Sequence, residues 1–213
     1  MTSSAARPRI RMTGPERRQQ LVEVGRELFA RRGYEATSIE EVASSADVSK
    51  PVVYEHFGGK EGLYEAVVDG EMRLLLDRFE TALSSGGHPR ELLERAALVL
   101  LDYIEDDTDG FRVLTRDAPL TSGTGTFSSL LGEVARRVEH ILGQQFGTRG
   151  YDPQLAQLYS QALVGMVSLV GQWWLDNRSL DKELVAAHLV NLSYNGLSNL
   201  DPEPGLVDGS AGG

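Results

Sequence analysis

Between Thr37 and Leu63 the chain reads TSIEEVASSADVSKPVVYEHFGGKEGL, and several of its polar residues stand where folding alone has little use for them. Lys50 and Lys60 each open an expected helix, where the macrodipole disfavours a cation. A phosphate at such an end is favoured, and a lysine beside it adds to the attraction. Tyr54 and His56 flank the apolar Phe57 on the side expected to face solvent, and hydroxyl and imidazole groups both suit phosphate oxygens. This is chemistry for holding an anion, not for breaking a bond. The four histidines, His56, His88, His140 and His188, are scattered, and no H-E-x-x-H, phosphate loop or nucleophile elbow occurs. His140 and His188 read as surface or helix-packing residues. The chain has no cysteine, so disulfides and thiolate metal sites are excluded. The expectation is a protein that is not an enzyme and holds no metal or cofactor.

The elements that must position these groups are short helices. Val42, Ala43, Ala46, Val48, Val53 and Phe57 are the apolar positions of the stretch. Ala43 is small, as a close helix crossing requires. Thr37 or Ser38 caps a helix from about Ile39 to Ala46, and Ser38 with Glu41 makes a capping box. Ser49 caps a second helix from Lys50 to about Phe57, with Pro51 in its first turn, where a missing N–H costs nothing. Gly58-Gly59 then breaks the chain. Two short helices with a tight turn fit a helix-turn-helix. Such a unit sets the first residues of its second helix against base edges in the major groove. On pattern alone, a three-helix module with a solvated polar face fits as well.

The residues Ala46 to Leu63 spell A-x-V-S-x-x-x-x-Y-x-H-F-x-x-K-E-x-L, and Gly33 to Ala43 spell G-Y-x-x-T-S-I-x-x-V-A. Together they resemble the signature of the tetracycline-repressor (TetR) family of transcriptional regulators. The resemblance implies phosphate contacts from Thr37, Ser38, Ser49, Tyr54, His56 and Lys60. It implies base-edge contacts from Lys50, Pro51 and Val52. One departure is Asp47, in a turn position usually filled by Gly. Asp tolerates the left-handed conformation better than most residues, so the turn should survive, while its charge near DNA is mildly unfavourable.

The charge distribution agrees with an anion-binding N-terminus. The formal net charge is -10, yet residues 1–60 carry ten Lys+Arg against eight Asp+Glu, a net of +2. The remainder carries 11 against 23, a net of -12. An interaction end and a different task elsewhere are implied. Residues 1–12 read as a flexible basic arm with Arg7, Arg9 and Arg11, 13–59 as the helix-turn-helix domain, 60–200 as a second helical domain, and 201–213 as a disordered tail. The start has no apolar run, so no secretory signal is expected. The longest apolar stretch, Leu163 to Leu175, is too short to span a bilayer. A cytoplasmic protein with no membrane partner follows.

The fold class expected is all-α, with about nine helices: a three-helix DNA-binding module and a larger helical body. The first helix covers Glu16 to Arg32 and stops at Gly33. Long helices follow over Lys60 to about Leu83, with Leu63, Val67, Leu74 and Phe79 inward, then Arg90 to Glu105, Phe127 to Phe146, Asp152 to Asn177 and Leu180 to Asn199. A short one covers Gly110 to Arg116, and 118–126 form a loop. The helix from Asp152 is apolar on two stripes, so it needs partners on two sides. The resemblance implies a homodimer in which the last two helices pair with their copies through Leu158, Ala162, Leu169, Leu189 and Leu192. A helix at the centre of a monomer is the alternative. The resemblance also implies an effector pocket for a small, apolar or aromatic molecule. Candidate lining residues are the aromatics Phe79, Tyr103, Phe111 and Phe127, with Met166, Trp173 and Trp174. The acidic body disfavours a strongly anionic ligand unless a local arginine such as Arg112 or Arg116 offsets it. The sum is a ligand-responsive repressor bound to duplex DNA, with an activator or an acidic helical binding protein as alternatives.

Overall fold

The computed structural model describes residues 12–115, 127–201 and 204–206. The basic arm with Arg7, Arg9 and Arg11, Arg116, the loop 118–126 and most of the 201–213 tail lie outside the described residues. Among the described residues the structure is all-helical. The helices are α1 (Gly14–Arg32), α2 (Ile39–Ser45), α3 (Lys50–Phe57), α4 (Lys60–Ser84), α5 (Pro89–Asp106), α6 (Thr108–Thr115), α7 (Phe127–Arg149), α8 (Leu155–Asp176) and α9 (Lys182–Ser198).

Local chemistry sets most of these ends. Thr13 caps α1, and its N–H donates to the Glu16 carboxylate at 2.7 Å, so the helix begins at Gly14, ahead of the expected Glu16. Ser38 and Glu41 form the same reciprocal box on α2. A further box on α5 uses His88 as the cap with Glu91 three residues on. Gly58 closes α3 in the left-handed conformation at φ 73°, which glycine adopts without strain. α8 begins three residues later than Asp152, because the Asp152 carboxylate accepts from the Gln154 N–H and holds a turn ahead of the helix. α9 begins at Lys182, after Asp181, whose extended backbone makes it the cap.

The chain divides into two compact units. One takes the described residues of 1–71 and 109–125, the other those of 72–108 and 126–213. The dividing line therefore falls inside α4, not at the 59/60 boundary expected, because α4 continues as one helix through that point. In the first unit Leu21, Phe29, Val42, Val53 and Leu63 are almost wholly buried. Phe29, Tyr34 and Tyr64 add an aromatic cluster, with Tyr64 5.0 Å from each of the other two rings. In the second unit α7 packs on α8, and α5 packs on both α8 and α9. Gly171 of α8 permits that approach: a Cβ there would lie 2.9 Å from Leu100 and 3.0 Å from Ile104 on α5.

One helical face differs from expectation. Leu74 is exposed, not inward. The buried row of α4 in this unit is Leu75, Phe79 and Leu83 at four-residue spacing, and Leu74 lies about 100° around the helix from it. On α8, Leu163, Ser168, Gly171 and Trp174 form the buried row, while Leu158, Leu169 and Trp173 stay exposed.

Candidate nucleic-acid interface and ligand cavity

The helix-turn-helix is assembled by hydrogen bonds that cross the module. The Val48 N–H donates to the Ala43 carbonyl at 2.9 Å across the turn. The Gln20 side-chain amide, on α1, donates to the Ala46 carbonyl at 3.2 Å. Arg32 of α1 pairs with Glu41 of α2, and the Arg18 guanidinium sits 4.9 Å from the centre of the Phe57 ring. Asp47 takes φ 52°, the one non-glycine residue at positive φ among the described residues.

These supports leave a row of accessible groups on α3 and its cap. Ser49, Lys50, Pro51 and Tyr54 are exposed, and Val52 and His56 half-buried. The Ser49 hydroxyl makes no cap hydrogen bond to α3. Ser38 is half-buried and its hydroxyl serves the α2 capping box. Thr37 requires a correction. It is 2% exposed, and its hydroxyl donates to the Gly33 carbonyl at 2.8 Å. Its side chain therefore ties off the end of α1 and is not presented to a phosphate. Both lysines have partners within the chain. Lys50 pairs with Glu40 of α2, which holds the Glu40 carboxyl below the usual carboxylate range. The Lys60 ammonium donates to the Tyr34 carbonyl at 3.0 Å and lies 4.2 Å from the Tyr34 ring centre.

The second unit holds a narrow cavity of about 60 Å³ between α4, α5, α7, α8 and α9. Phe79 and Phe127 line it, as expected. The other five candidates do not. Tyr103 is fully buried among packed helices and Phe111 belongs to the first unit. Met166 is half-buried and absent from the wall, and Trp173 is 48% exposed. Trp174 is core: its Nε1–H donates to the Leu180 carbonyl at 2.8 Å, and the Arg178 guanidinium stacks 3.8 Å from its ring centre. Large rings fill space, and the void lies instead where smaller side chains such as Ala96, Ala97, Val134 and Val138 meet. The run of alanines on α5 was the available signal.

On the outer face of α8 and α9, Leu158, Leu169 and Leu192 are each more than 60% exposed, and Ala162 is exposed beside them. Leu189 does not belong with them. It is 6% exposed and lines the cavity, in the buried row of Val185, Leu189 and Ser193. Arg112 is exposed and ion-paired with Asp109 in the first unit. No cluster of potential metal ligands occurs among the described residues, and no described helix is long and apolar enough to cross a membrane.

A helix-turn-helix with an accessible second helix, followed in the same chain by a cavity-bearing helical bundle, is the arrangement of a DNA-binding transcriptional regulator. The chain belongs to the tetR family of bacterial regulatory proteins: that family's model matches residues 21–67, and the model of the tetracyclin repressor-like C-terminal domain matches residues 89–196. A relative, the HTH-type transcriptional activator FasR of Mycolicibacterium smegmatis, is 30% identical over 195 residues, covering 89% of this chain and 87% of the relative. Among solved structures, a TetR-like transcriptional regulator from Rhodococcus sp. RHA1 matches with a TM-score of 0.70 and 25% identity, covering 89% of this chain and all of that one. AibR in complex with isovaleryl coenzyme A and operator DNA matches with a TM-score of 0.68 and 23% identity, over 83% of this chain and 97% of that one.

Proposed function

We propose that the protein is a homodimeric transcriptional regulator whose hold on a palindromic operator is set by a small apolar ligand. The observation that carries this reading is the pairing, in one chain, of an accessible α3 with an apolar cavity. In the DNA complex Lys50, Pro51 and Val52 face base edges, and Ser49, Tyr54, His56 and Lys60 hold phosphates. The exposed leucines of α8 and α9 are the dimer face. Two-fold symmetry then sets the two α3 helices about 34–36 Å apart, the spacing of successive major grooves. α4 carries Lys60 at one end and the cavity-lining Phe79 towards the other, so a ligand that moves α4 moves the module.

Repression relieved by the ligand is the first form of this reading. Activation is the second, favoured by the relative named as an activator. Linkage separates them, because ligand and DNA must change each other's affinity by the same factor. Fluorescence anisotropy with the duplex upstream of its own gene tests the core of the proposal. Saturable binding, competed poorly by unrelated duplex, is expected. Equal binding to both duplexes, or none, would overturn it. A ligand that weakens the complex identifies release, and one that strengthens it identifies recruitment.

A further inference from the structure

Lys50 opens α3 and is set against base edges in the proposed DNA complex, yet in the chain alone its charge is already matched. Its ammonium pairs with the Glu40 carboxylate of α2. Both side chains stay open to solvent, 51% exposed for Lys50 and 59% for Glu40. The two charges therefore meet on the outside of the module, where α3 begins.

Folding gives Glu40 little to do. The core beneath it is closed by Ile39, Val42, Ala43, Ala46 and Val53, all buried. The first turn of α2 already has an acid in Glu41, whose carboxylate accepts from the Ser38 N–H at 3.0 Å and pairs with Arg32 of α1. The turn between α2 and α3 is fixed by the backbone bond from the Val48 N–H to the Ala43 carbonyl. An ion pair as open as that of Glu40 with Lys50 adds little to stability.

The pair has more effect on a duplex. A phosphate offers acceptors only, so beside one the lysine arrives already neutralised and Glu40 is repelled. A duplex held through its backbone alone gains little from this end of α3. A G·C pair presents something different in the major groove. Guanine O6 and N7 accept, and the cytosine N4 amino group donates beside them. Lys50 can turn to the guanine and Glu40 to the cytosine, and both charges are then satisfied at once. Adenine sets a donor beside its one acceptor, which suits an ammonium less well.

We propose that Glu40 is a specificity-determining residue of the DNA face: it cancels Lys50 on arbitrary duplex and, together with Lys50, reads one G·C pair in each half-site. This rests on the reading of the chain as an operator-binding dimer, and it adds α2 to the base-reading surface.

Fluorescence anisotropy on the full-length protein tests it over a range of salt. The probes are the duplex upstream of its own gene, single base-pair variants of that duplex, and an unrelated duplex of mixed sequence. Glu40→Ala should bind the unrelated duplex about tenfold more tightly at low salt. Its salt slope there should steepen by about one unit, as Lys50 is released to a phosphate. The upstream duplex should gain less, so the ratio of the two affinities falls, and the preference for G·C at one position should be lost. Glu40→Gln, similar in size and uncharged, should tighten the unrelated duplex likewise and serves if Ala disturbs α2; thermal melts are the folding control. In a Lys50→Ala background, Glu40→Ala should no longer alter the slope, a coupling that a merely structural tie between the helices would not produce. If a folded Glu40→Ala leaves ratio and slope unchanged, Glu40 lies off the DNA and the proposal is overturned. An equal steepening with Lys50 absent also overturns it, because the charge that Glu40 cancels then lies elsewhere. Survival of every base preference in Glu40→Ala would overturn the base reading. If the wild type binds both duplexes equally, the operator reading itself fails, and the role of Glu40 with it.

Discussion

Lys50 and Tyr54 are both exposed on α3, and the proposed reading gives them different tasks on DNA. Lys50 pairs with Glu40, and on the proposed reading a base edge takes the place of Glu40, so that the exchange of partners is local to one base pair. Lys50→Ala is expected to cost about 1–3 kcal/mol on the preferred operator and to relax the choice at that position. Tyr54→Phe removes a hydroxyl and is expected to weaken all duplexes alike, by about 0.5–1.5 kcal/mol. Anisotropy on an operator set with single base changes would separate these, and uniform losses from both would sink the distinction. Asp47 already adopts the left-handed conformation at φ 52°. Asn tolerates that conformation equally and carries no charge. Asp47→Asn should therefore leave the melting temperature nearly unchanged and tighten DNA binding several-fold at low salt, an advantage that shrinks as salt screens the field.

At the scale of the element, two glycines in close contacts differ in how strictly they are required. A Cβ on Gly62 would collide with the Phe57 carbonyl oxygen, a backbone atom that moves only if the α3–α4 turn is rebuilt. A Cβ on Gly171 meets the mobile ends of Leu100 and Ile104 at 2.9 and 3.0 Å. In both helices Ala gains about 1 kcal/mol of propensity over Gly. Overpacking costs about 1–3 kcal/mol, so Gly171→Ala should come out near neutral to mildly destabilising. Gly62→Ala should be clearly destabilising and lose DNA binding, as read by thermal melts and anisotropy together. The capping boxes add a pH dependence. Backbone N–H groups of Thr13 and Ser38 hold the Glu16 and Glu41 carboxyls below the usual range. A folded-state pKa lowered in this way contributes stability that is present at neutral pH and lost as pH falls through the lowered values. The double change Glu16→Gln, Glu41→Gln should flatten the acid limb of the stability profile between neutrality and that range.

For the whole molecule, the proposed dimer rests on the exposed stripe of Leu158, Leu169 and Leu192. Each is solvent-exposed in the single chain, so a polar replacement leaves the protomer's own core intact. Leu169→Arg should give a folded monomer by sedimentation, since a dimer would bury an unpaired charge. The same variant should lose most of its operator affinity while retaining the cavity's ligand binding. A wild type that sediments as a monomer at micromolar concentration would refute the dimer.

The helix-turn-helix was legible in the sequence because its signals are local. Ser38 with Glu41, Ser49 before Lys50-Pro51, the Gly58-Gly59 break and the apolar spacing of Val42, Ala46 and Val53 all act within about a turn of helix. The two stripes of α8 were legible for the same reason. What the sequence left open were the matters settled between helices distant along the chain. Thr37 turned out to be spent on the Gly33 carbonyl, Lys50 on Glu40, and Leu189 on the inner wall and not the outer face. Leu74 faced solvent while Leu75 faced the core. Above all, aromatics proved a poor guide to the cavity, whose wall is mostly aliphatic. A void is not a property of any residue: it is the space that five helices fail to fill, and only their packing decides where that space lies and which side chains border it.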